Sequence, residues 1–257
     1  MVRISKTVLL FAFIFFFGRE TVHAQLGVGQ EIGVLAGPLA FFSDYGLRYN
    51  FETNSGNVGT GIGLVYYLNF AFKPECDCYA MYSYFNDHFK IRNELDYSYT
   101  DLDHFGKIAS KNNLRGEQLR AMKGSSEIFE IGSHLEYYPL SIRDFTAYAY
   151  TFSPFVSLGA NFVHYQPGAY STLGPLEDNL IEEFRGGVNI ESGTAWAIVA
   201  GLGARFRLAS SSDIVVSGNW KYYTTDFLDG LDHDNPQNKS NDFIFWLNVG
   251  YVYYLNF

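Results

Sequence analysis

Asn57–Phe70 reads NVGTGIGLVYYLNF, and the alternation in this stretch decides the fold. Val58, Thr60, Ile62, Leu64, Tyr66, Leu68 and Phe70 share one phase; Gly59, Gly61, Gly63, Val65, Tyr67 and Asn69 share the other. Successive side chains of an extended chain point to opposite sides. The run therefore predicts a long strand with one apolar face and one face stripped of bulk. An amphipathic helix would need one apolar stripe set against a polar face, and the stretch carries no charged residue to make that face. The closing sextet, VYYLNF at Val65–Phe70, recurs as Val252–Phe257 in the same phase.

The same period runs through the chain. Phe89, Ile91, Leu95, Tyr97 and Tyr99 alternate with Lys90, Arg92, Glu94, Asp96 and Ser98. Phe129, Ile131, Leu135 and Tyr137 alternate with Glu130, Gly132, His134 and Glu136. Val156, Leu158, Ala160 and Phe162 alternate with Phe155, Ser157, Gly159 and Asn161, and Trp196, Ile198, Leu202 and Phe206 with Gly201, Gly203, Arg205 and Arg207. Ile214, Val216, Trp220 and Tyr222 oppose Ser217, Asn219 and Lys221. The last run sets Phe243, Phe245, Leu247, Val249, Tyr251, Tyr253, Leu255 and Phe257 against Asp242, Asn248 and Gly250, and EIGVLAGPLAFF (Glu31–Phe42) is a weaker first strand. These eight runs of about 10–14 residues exceed the ~5–6 of ordinary strands and match the ~9–11 tilted residues that cross a bilayer. A composition of 24 Phe, 20 Tyr and 25 Gly favours strands and turns in the same way.

The expected fold is all-β: an eight-stranded antiparallel transmembrane barrel with short periplasmic turns and long extracellular loops. The polar stretches 106–126, 166–193 and 226–240 are the candidate long loops, and ASSSD (Ala209–Asp213) is the tightest turn. Both copies of VYYLNF then end downward strands at one membrane boundary. Tyr66, Phe70 and Tyr137 form an expected aromatic girdle there, because amphipathic rings suit the headgroup layer. The terminal strand carries apolar or aromatic residues at every second place. Val249, Tyr251, Tyr253, Leu255 and Phe257 resemble the C-terminal assembly signal of bacterial outer-membrane barrels, which implies the barrel-assembly machinery as a partner during biogenesis.

Residues 1–24 read as a signal peptide: Arg3 and Lys6, then the apolar run Val8–Gly18, then a small residue at Ala24. The barrel domain is expected over 25–257, with the cell outer membrane as its location and outer-membrane lipid as its surroundings. Cleavage removes Arg3, Lys6, Arg19 and Glu20, taking 18 Lys+Arg to 15 and 27 Asp+Glu to 26, so the net charge of −9 becomes −11. Such an acidic chain is a poor partner for nucleic acid. Cys76 and Cys78 read as a local thiol pair or small disulfide in a turn; two cysteines alone are a weak metal signal.

Eight strands enclose an interior that side chains fill. Lys90, Arg92, Glu94, Asp96, Glu130, His134, Glu136, Arg205, Arg207 and Lys221 are the expected interior polar network. Arg205 and Arg207 are expected to pair with Glu94, Asp96, Glu130 or Glu136, with the glycines leaving room for long side chains. A gated pore or a proton path is the alternative use of such an interior. Catalysis at the outer rim would need a serine, a histidine and a carboxylate together; His164, Ser171, Thr172 and Glu177 are the candidates, and they form no known motif. The Asp-rich stretch 226–242 departs from the order of a calcium loop and reads as a solvated acidic loop. No catalytic, metal or cofactor residues are expected.

EIGVLAGPLAFFSDYG, YFNDHFKIRNELDYSYT, LEYYPLSIRDF and WLNVGYVYYLNF resemble a family of small outer-membrane barrels of Bacteroidota, chiefly flavobacteria, across most of residues 30–257. The layout of EIGV and the following R-x-E-L strand is also similar to PorG-type barrels of the type IX secretion system. This resemblance implies a non-enzymatic scaffold or accessory subunit of an envelope secretion or assembly complex, and no catalytic residue carries over. A lipid-modifying barrel enzyme or a narrow small-solute transporter is the alternative.

Overall fold

The structure, a computed structural model, describes residues 28–47, 50–54, 56–71, 83–232 and 241–255. The expected signal peptide, Cys76, Cys78 and Phe257 lie outside them. Eight antiparallel strands close into a barrel in chain order: β1 (Gly29–Phe42), β2 (Val58–Asn69), β3 (Phe89–Asp103), β4 (Met122–Tyr137), β5 (Phe152–Ser171), β6 (Gly193–Ala209), β7 (Ser212–Tyr223) and β8 (Phe243–Leu255). β1 closes on β8 from Gln30↔Leu255 to Phe42↔Phe243. That ladder skips Gly37 and Pro38, as it must where Pro38 has no N–H to donate.

Each strand obeys the period read from the sequence. On β2, residues 59, 61, 63, 65, 67 and 69 are buried while Val58, Ile62 and Leu64 are exposed. The outer wall carries Ile32, Val34, Ile131, Leu158, Ile198, Trp196, Val249 and Tyr251, all exposed. The inner wall carries the charges. A full inversion of globular chemistry on this scale leaves an apolar surface that water would not tolerate.

The connections differ from expectation. At one end, where the described residues also begin and end, 210–211 is a tight turn, and 70–88 and 138–151 contain the short helices Tyr84–His88 and Ile142–Thr146. His88 belongs to the first of these helices, where it stacks on Tyr84 at 4.0 Å and meets the Tyr138 carbonyl at 2.6 Å. At the other end lie L1 (43–57), L2 (104–121), L3 (172–192) and L4 (224–242). L2 and L3 are shorter than expected because the wall is taller: β4 has 16 residues and β5 has 20, and their pairing runs on to Met122↔Ser171.

Candidate functional site

The interior network is built in tiers along the barrel axis. Near the turn end, Glu31 accepts from Lys90 at 2.7 Å, from Arg205 at 2.5 Å and from Asn69 at 3.0 Å. Asp213 lies 3.5 Å from Arg205 and 3.2 Å from Arg207, its direct partner across the β6–β7 hairpin, and accepts from the Tyr254 hydroxyl. The Arg205 guanidinium also sits 4.2 Å from the centre of the Tyr67 ring. In the middle tier Arg92 reaches Glu136 at 3.1 Å, Glu94 at 3.2 Å and His134 Nδ1 at 2.6 Å. A guanidinium can only donate. Nδ1 therefore accepts, and Nε2 carries the proton toward Asn161 Oδ1 at 2.7 Å. The Asn161 amide in turn donates to Glu94 at 3.0 Å and Glu130 at 2.7 Å.

Above them Asp96 and Glu130 stand directly opposite each other on β3 and β4. Like charges in that position repel. The Lys221 ammonium bridges them at 2.8 and 2.7 Å and lies 4.8 Å from the Trp246 ring centre. The carboxylates of Glu94, Asp96 and Glu130 approach within 4.8 Å of one another, a spacing that suits a cation, and the Lys221 ammonium is that cation here. A void bordered by Asp96, Lys221 and Trp246 is about 10 Å³, room for about one water.

Of the residues expected inside, Lys90, Arg92, Glu94, Asp96, Glu130, His134, Glu136, Arg205 and Lys221 are buried and Arg207 is half-buried. The expected pairing of the arginines is corrected. Of the four proposed acids Arg205 reaches only Glu136, at 3.9 Å, and Arg207 reaches none of them. Glu94, Asp96 and Glu130 sit too far up the barrel; Glu31 and Asp213 share the level of the arginines. Both were readable, since Glu31 is in phase with Leu35 on β1 and Asp213 is in phase with Lys221 on β7. The room made by glycines goes to a ring: a Cβ on Gly61 would stand 2.9 Å from the Trp246 indole nitrogen, and one on Gly63 would stand 3.1 Å from its ring edge.

The rim candidates do not assemble. His164 is exposed on the outer wall, opposite Phe129 and Thr194. Ser171 is seven residues further along β5, about 23 Å at the usual rise per residue. Ser171 Oγ accepts from Leu173 N, and Thr172 Oγ1 donates to Ala121 O. The outward girdle residues sit at the turn end among other rings: Phe70 lies 5.5 Å from Phe85, Tyr137 lies 5.1 Å from Phe89, and Tyr66 bonds Gln30 at 2.8 Å.

At the loop end the chain folds back into the mouth, and here the reading of a solvated acidic loop is corrected for its described residues, 226–232 and 241–242. In L4, Leu228, Asp229 and Leu231 are fully buried, and Leu228 O accepts from Ser126 Oγ of β4. Asp229 accepts from Asp44 N of L1 at 2.7 Å and from Leu231 N at 2.8 Å. A β-bridge Val188↔Leu231 ties L3 to L4. His104 of L2 donates from Nδ1 to the Tyr45 carbonyl at 2.9 Å and is stacked by Tyr45 at 4.6 Å and Phe184 at 5.3 Å, joining L1, L2 and L3. Phe227, Leu228 and Leu231 stand among the acids of L4, and those apolar residues were the available sign that it is not merely solvated.

Burial pushes the Asp229 carboxyl up from 3.8 to about 7; the neighbouring Asp226 adds to the shift, while the two backbone N–H donors and the Ser43 hydroxyl oppose it. Tyr45 faces it from L1 and is itself pushed up by burial and by the charges of Asp229 and Asp103. A folded carboxyl that holds its proton more tightly than the unfolded one stabilises the folded loop fully below about 4. That contribution is lost as the pH rises through about 7. Hydrogen exchange at the Asp44 and Leu231 amides, corrected for intrinsic rate, should show falling protection between these limits. A protection that rises with pH would contradict the assignment.

No protein-family model and no curated protein matches this chain. Among solved structures the chain is similar to Ail, the attachment invasion locus protein of Yersinia pestis, in complex with the heparin analogue sucrose octasulfate: 12% identity, 90% of this chain and 100% of that one, TM-score 0.44. It is also similar to a major outer membrane protein from Thermus thermophilus, with 12% identity, 88% and 99% coverage and TM-score 0.45. OprG from Pseudomonas aeruginosa matches with 12% identity, 88% and 94% coverage and TM-score 0.39.

Proposed function

We propose that this chain is a non-enzymatic outer-membrane barrel that anchors a folded loop surface, acting as a scaffold or accessory subunit of an envelope secretion or assembly complex. One observation carries the reading: ion pairs fill the interior, and Leu228, Asp229 and Leu231 of L4 are buried at its mouth, which puts the accessible chemistry on the loops. The girdle of exposed aliphatic and aromatic side chains supports lipid around the wall, with Tyr66, Phe70 and Tyr137 meeting headgroups at the periplasmic boundary. In planar bilayers the purified protein should show no large steady conductance. Cross-linking in whole cells followed by mass spectrometry should return specific envelope partners; an open channel, or no partner above background, would overturn the proposal.

Biogenesis supplies a second test. Val249, Tyr251 and Tyr253 alternate outward on β8 with Val252 and Tyr254 inward. Changing Tyr251 and Tyr253 together to Ser should lower the amount of heat-modifiable protein in the outer membrane several-fold while exported chain accumulates. Unchanged insertion would remove these residues from the assembly signal.

A further inference from the structure

L1, L2 and L3 enclose a pocket of about 290 Å³, near the lower bound of ~300 Å³ for small binding sites. Its apolar wall comes from Leu47, Ile108, Ala109, Leu119 and Ile181. Lys107 and Arg115 also line it, together with exposed Glu52 and buried Asp44. Three ties hold it open in one shape. Asn54 Nδ2 donates to Leu47 O at 2.7 Å, setting L1. Asn113 caps the helix Leu114–Ala121 by accepting from Gly116 N at 2.9 Å, setting L2. Arg115 bonds Glu183 at 2.8 Å across to L3.

The occupant can be read from shape and charge. The stacked rings beside the pocket are closed to a sugar, because His104 has Tyr45 on one face and Phe184 on the other. What remains, between these rings, Phe105 and the aliphatic residues, is an apolar socket of the size of one large side chain. The segment around it is basic: Lys107, Lys111, Arg115, Arg120 and Lys123 against Glu117, on a chain of net charge −9. Arg115 and Lys123 are paired, with Glu183 and Asp103, and Arg120 is turned onto the Ala109 and Lys111 carbonyls. Lys107 and Lys111 are exposed and have no ion-pair partner among the described residues. Exposed Phe105, Ile108 and Leu114 flank them.

We infer that this pocket is the socket for one aromatic side chain of an acidic segment of a protein partner, with the flanking carboxylates read by Lys107 and Lys111. The inference rests on the reading of the loop face as a docking surface and names the chemistry of its partner. A buried aromatic anchor ringed by weaker charged contacts is the common energetic pattern of such interfaces.

The test uses the full barrel in detergent and three synthetic peptides: Asp-Glu-Trp-Glu-Asp, the same peptide with Ala for Trp, and Lys-Lys-Trp-Lys-Lys, all with blocked ends. The acidic Trp peptide should bind at least about tenfold tighter than either other, a gap of about 1.4 kcal/mol. Ala109→Trp, which fills the socket, should abolish that preference for Trp over Ala. Lys107→Glu with Lys111→Glu, two exposed changes that leave the fold alone, should weaken binding by about three- to tenfold and flatten its salt dependence. Equal binding of the Trp and Ala peptides, insensitivity to Lys107→Glu with Lys111→Glu, or binding of dodecyl phosphate in place of any peptide would overturn the inference. Partners recovered by cross-linking from both wild type and Ala109→Trp would then leave the scaffold reading standing without this socket.

Discussion

Arg205→Leu should lower the unfolding free energy by about 3–5 kcal/mol, the usual cost of breaking a buried ion pair from one side. The guanidinium has no exposure, and it sits between Glu31 at 2.5 Å and Asp213 at 3.5 Å, over the Tyr67 ring. Leucine fills part of the volume but answers neither carboxylate. Glu31 is left with Lys90 as its cation, and Asp213 with Arg207. The urea midpoint in detergent micelles is the measurement. Adding Asp213→Asn should recover part of the loss, because one buried charge is then removed with its partner. A single variant that unfolds at the wild-type midpoint would mean that water or rearrangement satisfies these groups and that the network is not closed.

Gly37→Val should block closure of the barrel in most of the protein. A Cβ at Gly37 would stand 2.8 Å from Asn248 Cα and closer still to the Leu247 carbonyl, so the clash is with backbone of β8. Flexible side chains can move aside; a ladder strand can do so only by giving up pairing. Gly37 also offers its carbonyl to the Trp246 indole at 3.3 Å, and the β1–β8 ladder already lapses at this level. Overpacking of cores costs about 1–3 kcal/mol where neighbours can adapt, and here the neighbour is the closing seam. Heat-modifiable migration after refolding should be mostly lost, whereas Gly186→Val, at a loop site where a Cβ meets nothing within 4 Å, should retain the closed form despite the strain of its positive φ. A normally folding Gly37→Val protein would show that the seam tolerates displacement.

Why some of this was legible follows from what each signal encodes. The alternation in β2 and β3 settled which side chains point inward, because a pleated strand leaves no other choice and a slip of one residue would turn every charge outward. Lys90, Arg92, Glu94 and Asp96 could therefore be assigned from spacing alone. Strand ends were less visible. Gln166–Ser171 looked like loop because Gly, Pro and polar residues break the apolar outer phase, yet hydrogen bonding to β4 carries the strand through them. L4 was misread for a related reason: its acidic residues suggested solvent, but burial of Leu228 and Leu231 takes Asp229 in with them.

The number of strands, their faces and the polarity of the interior were all present in the residue order, since each depends on a period of two along one segment at a time. The partner of each charge and the shape of the loop face were not, and both arise from closure. Height along the barrel axis comes from the stagger of all eight strands together. That stagger sets Arg205 beside Glu31, 174 positions away, and leaves it at 3.9 Å from Glu136. The L1–L2–L3 pocket likewise exists only where three loops, distant in sequence, are brought onto one rim by closure of the wall.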